Sequence, residues 1–181
     1  TYVQEAGTGT DPTKPDQTYD TDGSLNVTKA IKTNGGTLDA EKEFAFTATF
    51  SFPTGTDATT LGGVKDANGN KIAINENGTY TVSGDDITGN IHIVFEFTHI
   101  WVQTTAADHV VYGQDTTAEK NKLYTFTVSA ENGYKIKSVS VSDTEGELNV
   151  TDNGDGTYSV LVNDKAITIS AEAEEISYTL K

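Results

Sequence analysis

Apolar and polar residues alternate in short runs along most of this chain. Gly, Asn, Asp and Pro break the runs. The clearest run is Glu43-Phe44-Ala45-Phe46-Thr47-Ala48-Thr49-Phe50-Ser51-Phe52, which sets four Phe and Ala48 at period two and leaves Thr and Ser between them. Alternate side chains of a strand share a face, so this segment is a half-buried strand with one greasy side. Pro53 ends it. Ile91, Ile93, Phe95 and Phe97 repeat the pattern, as do Tyr124, Phe126 and Val128 within Lys122–Ala130. Asn68-Gly69 between Val64-Lys65-Asp66 and Lys71-Ile72-Ala73-Ile74 predicts a hairpin with a tight primed turn. Asn77-Gly78 predicts a second turn into Thr79-Tyr80-Thr81-Val82. No twelve-residue window carries a helical stripe, so the expectation is all-β.

The pattern also recurs. Ala40-Glu41-Lys42 returns as Ala118-Glu119-Lys120, and Gly78-Thr79-Tyr80 as Gly156-Thr157-Tyr158, both at a shift of 78. Ile91 answers Ile167 at 76. Shifts that vary little and slip in loops point to two copies of one β-rich unit. The expected plan is a flexible linker at 1–23, small antiparallel β-sandwiches at 24–101 and 102–176, and at 177–181 a terminal strand or the start of a further unit. The linker reading follows from its Thr, Gly, Asp and Pro content, with too few apolar residues to offset ordering entropy.

Three stretches carry a resemblance: Gly133-Tyr134-Lys135-Ile136-Lys137-Ser138-Val139-Ser140-Val141, Asp152-Asn153-Gly154-Asp155-Gly156-Thr157-Tyr158, and Ile167-Thr168-Ile169-Ser170-Ala171-Glu172. Through them the second unit resembles the divergent B-type and bacterial immunoglobulin-like repeats of Gram-positive cell-surface proteins. The first unit is less similar, since Thr60-Leu61-Gly62-Gly63 replaces the Gly-Tyr pair. The resemblance implies immunoglobulin-like sandwiches and a non-catalytic module of a large exported protein, serving as an adhesin, a stalk or an accessory region of a glycan-degrading system. Val27-Thr28-Lys29 and Phe44-Ala45-Phe46-Thr47 also resemble, more weakly, the first strands of pilin-type isopeptide domains. Glu96-Phe97-Thr98-His99 stands where such a domain keeps its reactive Asn, so no isopeptide bond is expected.

Composition narrows the partners. The 181 residues carry 12 basic and 27 acidic side chains, a formal charge of −15. Such a chain repels phosphate backbones and anionic lipid surfaces, so neither nucleic acid nor membrane is an expected partner. No run approaches the length of a spanning helix. Cys is absent, which removes disulfides and thiolate metal sites. A start at Thr1 without any Met, together with abundant Thr, Asn, Asp and Gly, leads us to expect a monomeric segment of a larger secreted or surface-attached bacterial protein. Its expected partner is a host or environmental glycan or a surface protein.

Candidate chemistry is sparse. No nucleophile motif stands out, and no enzyme is expected. Sugar sites on sandwiches use exposed aromatic rings beside polar groups. Trp101, the only Trp, with Tyr112 and Tyr134, forms the candidate ligand site. Asp66, Asn68 and Asn70 have the one-three-five spacing of an oxygen-ligand calcium loop, although Lys71 stands where a Gly should follow. The same residues suit a plain turn. No cofactor is expected, and calcium is the one ion these residues could hold. His92, His99 and His109 lack a second ligand at useful spacing. If function is specific, it should lie where the copies differ: at Trp101, in Thr54–Gly63, or in Ala106–Thr117.

Overall fold

Alternating Phe, Ile and Val side chains need an opposing apolar surface, and the chain supplies it by stacking sheets. The computed structural model describes residues 17–33, 44–66, 68–83 and 91–178. Among these it holds fifteen strands and one 3-10 turn, Ala58–Thr60. The fold is all-β. The chain divides into two compact units. One is built on residues up to 22, 26–52 and 57–97, and the other on 23–25, 53–56 and 98 onward.

Unit 1 contains β1 (Gln17–Thr21), β2 (Thr28–Thr33), β3 (Phe44–Ser51), β4 (Leu61–Asp66), β5 (Tyr80–Val82) and β6 (Ile91–Phe97). They form two three-stranded sheets, ordered β1-β6-β4 and β2-β3-β5. The core is aromatic. Phe46 and Phe95 are fully buried. Their rings meet edge-on at 6.4 Å, with Tyr19 edge-on to Phe46 at 5.4 Å and Tyr80 stacked on it at 5.3 Å. Phe50 and Phe52 close the other end against Phe97.

Unit 2 contains β7 (His99–Thr104), β8 (Val110–Gly113), β9 (Thr117–Glu119), β10 (Leu123–Ala130), β11 (Tyr134–Asp143), β12 (Gly146–Leu148), β13 (Val150–Asp152), β14 (Thr157–Leu161) and β15 (Ile167–Glu175). A five-stranded sheet, β12-β11-β15-β7-β9, faces a four-stranded one, β13-β14-β10-β8. Their inner faces share one core of Ile100, Val102, Val141, Ile167 and Ile169 against Tyr124, Phe126, Val128 and Val160.

The two units follow one strand order. β1-β6-β4 corresponds to β7-β15-β11, and β2-β3-β5 to β8-β10-β14. The registers agree as well. Val64 lies opposite Phe95 and Val141 opposite Ile169, and all four are buried. Asp22 N–H donates to Phe95 O, and Thr105 N–H to Ile169 O, both at 2.9 Å. These anchors match Ile93, not Ile91, with Ile167. The sequence match between Ile91 and Ile167 is displaced by two residues, a slip that keeps side-chain parity and so escapes notice in a pattern of period two.

Three features depart from the sequence reading. First, the sandwiches are not purely antiparallel. β1 runs parallel to β6, and β7 parallel to β15. Parallel partners need a long crossover, which the intervening strands of each unit provide. Second, Gln17–Thr21 falls in the expected linker but forms β1, because five backbone pairs with β6 and the inward ring of Tyr19 hold it. The expected boundary at 101/102 falls inside β7. Third, the loop after Val64-Lys65-Asp66 is wider than a two-residue primed turn. Asp66 N–H reaches Asn70 O at 3.0 Å, which leaves three residues between the paired positions, and Gly69 takes φ 84°. Lys71–Ile74 makes only isolated bridges, at Lys65↔Lys71 and Ile74↔Tyr80.

Candidate functional site

The three candidate aromatics separate. In β7, Ile100 and Val102 point into the core, so Trp101 between them projects half-buried from the outer face of the five-stranded sheet. Its backbone N–H donates to Ser24 O at 2.7 Å. Ser24 Oγ donates to His99 O at 3.1 Å. Trp101 lies opposite Thr117 of β9, near the start of β15. Tyr134 lies opposite Glu175, the last residue of β15. That nine-residue strand spans about 26 Å at about 3.3 Å per residue. The two rings therefore sit at opposite ends of one sheet. Tyr112 points inward instead. It packs on the core, and its hydroxyl accepts the Ala171 N–H at 3.0 Å. β7 no longer pairs with β15 at that point, so the phenol replaces a missing strand partner. The role of Tyr112 in this structure is to tie the edge of one sheet to the other.

Tyr134 belongs to a cluster of its own. The His109 imidazole stacks on its ring at 3.7 Å and 10°. His109 Nδ1 meets Glu131 Oε2 at 3.0 Å. The backbone ties the same residues, with Glu131 N–H donating to His109 O and Tyr134 N–H to Glu131 O, each at 3.0 Å. His109 holds φ 60°, uncommon for a residue with a Cβ. The strand crossover before β8 and the β10–β11 turn thus carry an exposed imidazole stacked on a half-buried phenol ring, with a carboxylate at its edge. That combination suits stacking on the apolar face of a sugar ring while accepting a hydroxyl hydrogen bond. His109 and Glu131 escaped the sequence reading because they are far apart in the chain and share no motif. Only the placement of His109 in the Ala106–Thr117 segment, where the copies differ, hinted at them.

The calcium candidates form a closed turn. Asp66 Oδ1 accepts the N–H groups of Asn68 (2.9 Å) and Asn70 (2.8 Å), and Oδ2 accepts Asn70 Nδ2 (2.9 Å). Partial burial pushes the Asp66 carboxyl up. The hydrogen bonds from Asn70, Asn68 and Gly69 together outweigh it and hold the group below the ordinary carboxylate value. Asn70 thus offers Asp66 a nitrogen donor. Among the described residues no three His, Cys, Asp or Glu side chains gather as a metal-binding group.

The second unit repeats this turn chemistry. Asp143 Oδ1 accepts the N–H groups of Glu145 (2.7 Å) and Gly146 (3.1 Å) in the loop after β11. On the outer face of the five-stranded sheet, Lys137 pairs with Glu172 at 2.8 Å and Lys135 with Glu174 at 2.9 Å. The hydrogen bond from Lys137 lowers the Glu172 carboxyl, and its counterpart raises the Lys137 amine. Both pairs are exposed and contribute little to stability. No helix among the described residues is long and apolar enough to cross a membrane. No protein-family model matches the chain, and neither curated proteins nor solved structures give a match.

Proposed function

We propose that this chain is a pair of immunoglobulin-like β-sandwich modules from an exported bacterial surface protein, acting without catalysis as a stalk that presents an adhesive region. The observation behind this reading is the parallel pairing of first and last strands. Gln17↔Ile91 through Thr21↔Phe95 run in the same direction, as do Val102↔Ile167 through Thr104↔Ile169. The chain therefore enters each unit at one end and leaves it at the other. Tension applied to those two ends loads the ladder bonds together, in shear, where an antiparallel pair pulled from one end opens them singly. A spacer under flow or traction needs that property. The family resemblance and the acidic, Cys-free composition support export.

Single-molecule pulling tests the reading. Pulled through residues before β1 and after β6, unit 1 should resist several-fold more force than when pulled across the β2–β3 hairpin. Forced unfolding reports the barrier and not the equilibrium stability. Equal forces in both geometries would refute a tension-bearing role.

The His109–Tyr134 stack supports a second reading, a carbohydrate-binding accessory module. Retention on an affinity gel of starch, xylan or mucin, lost in Tyr134→Ala or Trp101→Ala, would favour it. Silence across a glycan array would remove it.

A further inference from the structure

An Asn followed by Gly sets an amide carbon beside a nitrogen that no neighbouring Cβ shields. The Gly nitrogen can therefore attack the Asn side chain. Four such pairs lie among the described residues, at Asn68-Gly69, Asn77-Gly78, Asn132-Gly133 and Asn153-Gly154. Three of them are held. Gly69 N–H donates to Asp66 O at 3.0 Å. Gly78 N–H donates to Asn75 O at 2.9 Å, while Asn77 Oδ1 accepts the Thr79 N–H and hydroxyl. Gly154 N–H donates to Asp152 Oδ1 at 2.8 Å, while Asn153 Nδ2 donates to Thr157 Oγ1 and Ser159 Oγ. Each of these nitrogens must leave its acceptor before it can attack.

Asn132-Gly133 differs. Both residues are exposed, and neither the Asn132 side chain nor the Gly133 N–H has a hydrogen-bond partner among the described residues. Space around Gly133 is open, with no atom within 4 Å of where a Cβ would stand. Attack requires the peptide between the two residues to swing. Two bonds resist that swing: Tyr134 N–H to Glu131 O at 3.0 Å, and Ile176 N–H to Gly133 O at 2.9 Å. Both lie at the exposed end of the sheet, where local opening is frequent.

We propose that Asn132 is a self-modification site, whose side-chain amide converts to an acid through a cyclic imide. The Gly133 nitrogen gives its proton to hydroxide and bonds to Asn132 Cγ. The Cγ–Nδ2 bond then breaks, and ammonia leaves with a proton taken from water. A further water opens the five-membered imide. Opening at Cγ restores the main chain and leaves an Asp side chain. Opening at the main-chain carbonyl routes the chain through the side chain, longer by one methylene. In both cases amide and water become acid and ammonia.

The position gives the reaction a consequence. The same turn carries Glu131, which meets His109 Nδ1 at 3.0 Å, and Tyr134, on which the His109 ring stacks at 3.7 Å. A new carboxylate next to Glu131 adds like charge beside that contact. An added methylene displaces the bond that closes the turn. The cluster therefore changes with the age of the molecule. This goes beyond both functional readings and holds whether or not the stack binds a glycan.

Incubating the whole chain in mildly alkaline buffer, folded and in urea, tests it by mass spectrometry. Cleavage after lysine leaves Asn132 as the one Asn of the peptide 123–135, so its conversion is read alone. In the folded chain Asn132 should convert about tenfold faster than Asn68, Asn77 and Asn153, and in urea the four rates should converge. The rate should rise with pH, because the attacking nitrogen must lose its proton. Asn132 protected by folding as fully as Asn77 and Asn153 would overturn the proposal. NMR of the aged chain reads the consequence. The His109 and Tyr134 ring signals should shift in step with conversion, and signals that stay in place would refute the link to the cluster. Asn132→Gln, whose imide would need a six-membered ring and forms slowly, should hold those signals constant over the same time. Signals that drift equally in that variant would assign the change to another site.

Discussion

The turns at 75–80 and 153–158 are built from the same atoms, although the strands around them differ in length and number. Asn75 Nδ2 donates to Thr79 Oγ1 (2.9 Å) and Thr81 Oγ1 (2.7 Å), as Asn153 Nδ2 does to Thr157 Oγ1 and Ser159 Oγ. Asn77 Oδ1 accepts the Thr79 N–H and hydroxyl at 3.1 and 2.6 Å, and Asp155 Oδ1 accepts those of Thr157 at 3.0 and 2.6 Å. Gly78 and Gly156 hold φ 80° and 85°. Such a turn is a local solution that survives sequence drift, because each bond closes within six residues. The cores show no such identity. Unit 1 fills the space between its sheets with stacked Phe and Tyr rings, while unit 2 pairs a Val- and Ile-rich inner face with Tyr124 and Phe126. A core tolerates different side chains of similar total volume. The comparison teaches that turn atoms mark the shared plan, and core residues only its parity.

The largest test of the comparison is at its buried anchors. Phe95→Ala should cost unit 1 about 3–5 kcal/mol and Ile169→Ala should cost unit 2 about 2–5 kcal/mol. Native-state hydrogen exchange of β6 and β15 amides would read both. A loss under about 1 kcal/mol at either position would break the equivalence. Tyr112→Phe comes next. Removing the hydroxyl leaves the Ala171 N–H without its acceptor and should cost unit 2 about 1–2 kcal/mol by denaturant unfolding.

Gly78→Ala and Gly156→Ala should each cost about 1 kcal/mol or more, by similar amounts, because both force a Cβ into the left-handed region. Unequal losses in thermal unfolding would show that the two turns are not energetically alike. Base should act on unit 2 through Tyr124. Burial, and then the nearby Asp115, push its phenol up to about 12. A raised folded value means that the contribution is whole below the ordinary phenol value near 10 and is lost as pH rises toward 12. Tyr124→Phe should flatten that alkaline decline.

The smallest effect separates the turns themselves. The side-chain and backbone hydrogen bonds from Thr157 hold the Asp155 carboxyl below its ordinary value. Its contribution is therefore present above the usual carboxylate range and lost as pH falls through the lowered value. Asn77 makes the same bonds without a charge. Acid should loosen the Thr157 amide and spare that of Thr79, readable by NMR shifts. Equal responses would mean that the charge at Asp155 contributes nothing.

Much of the architecture was legible because period-two patterns are local. Phe46, Phe95, Phe126 and Ile169 are all buried, and each stood on the apolar side of its run. β1 was not legible, since Tyr19 is its one large apolar side chain and its stability comes from a strand 74 residues away. β9, β12 and β13 have three residues each, too short to show a period. The candidate site was less legible still. Trp101 and Tyr134 were noticed as rings, but their placement at opposite ends of a sheet is a matter of register. The bond from Tyr112 to Ala171 spans 59 positions and leaves no local trace.

The parallel closure of each unit also governs when it can fold. Thr18 reaches His92 across 74 residues, so the first strand of unit 1 stays unpaired until almost the whole unit has been made. At about 5–20 residues per second, that wait lasts roughly 4–15 s on the ribosome. Pairing this distant also folds slowly, because loop closure comes before its reward. A nascent unit of this kind therefore keeps its first strand open for seconds, a window in which the sheet it belongs to cannot close.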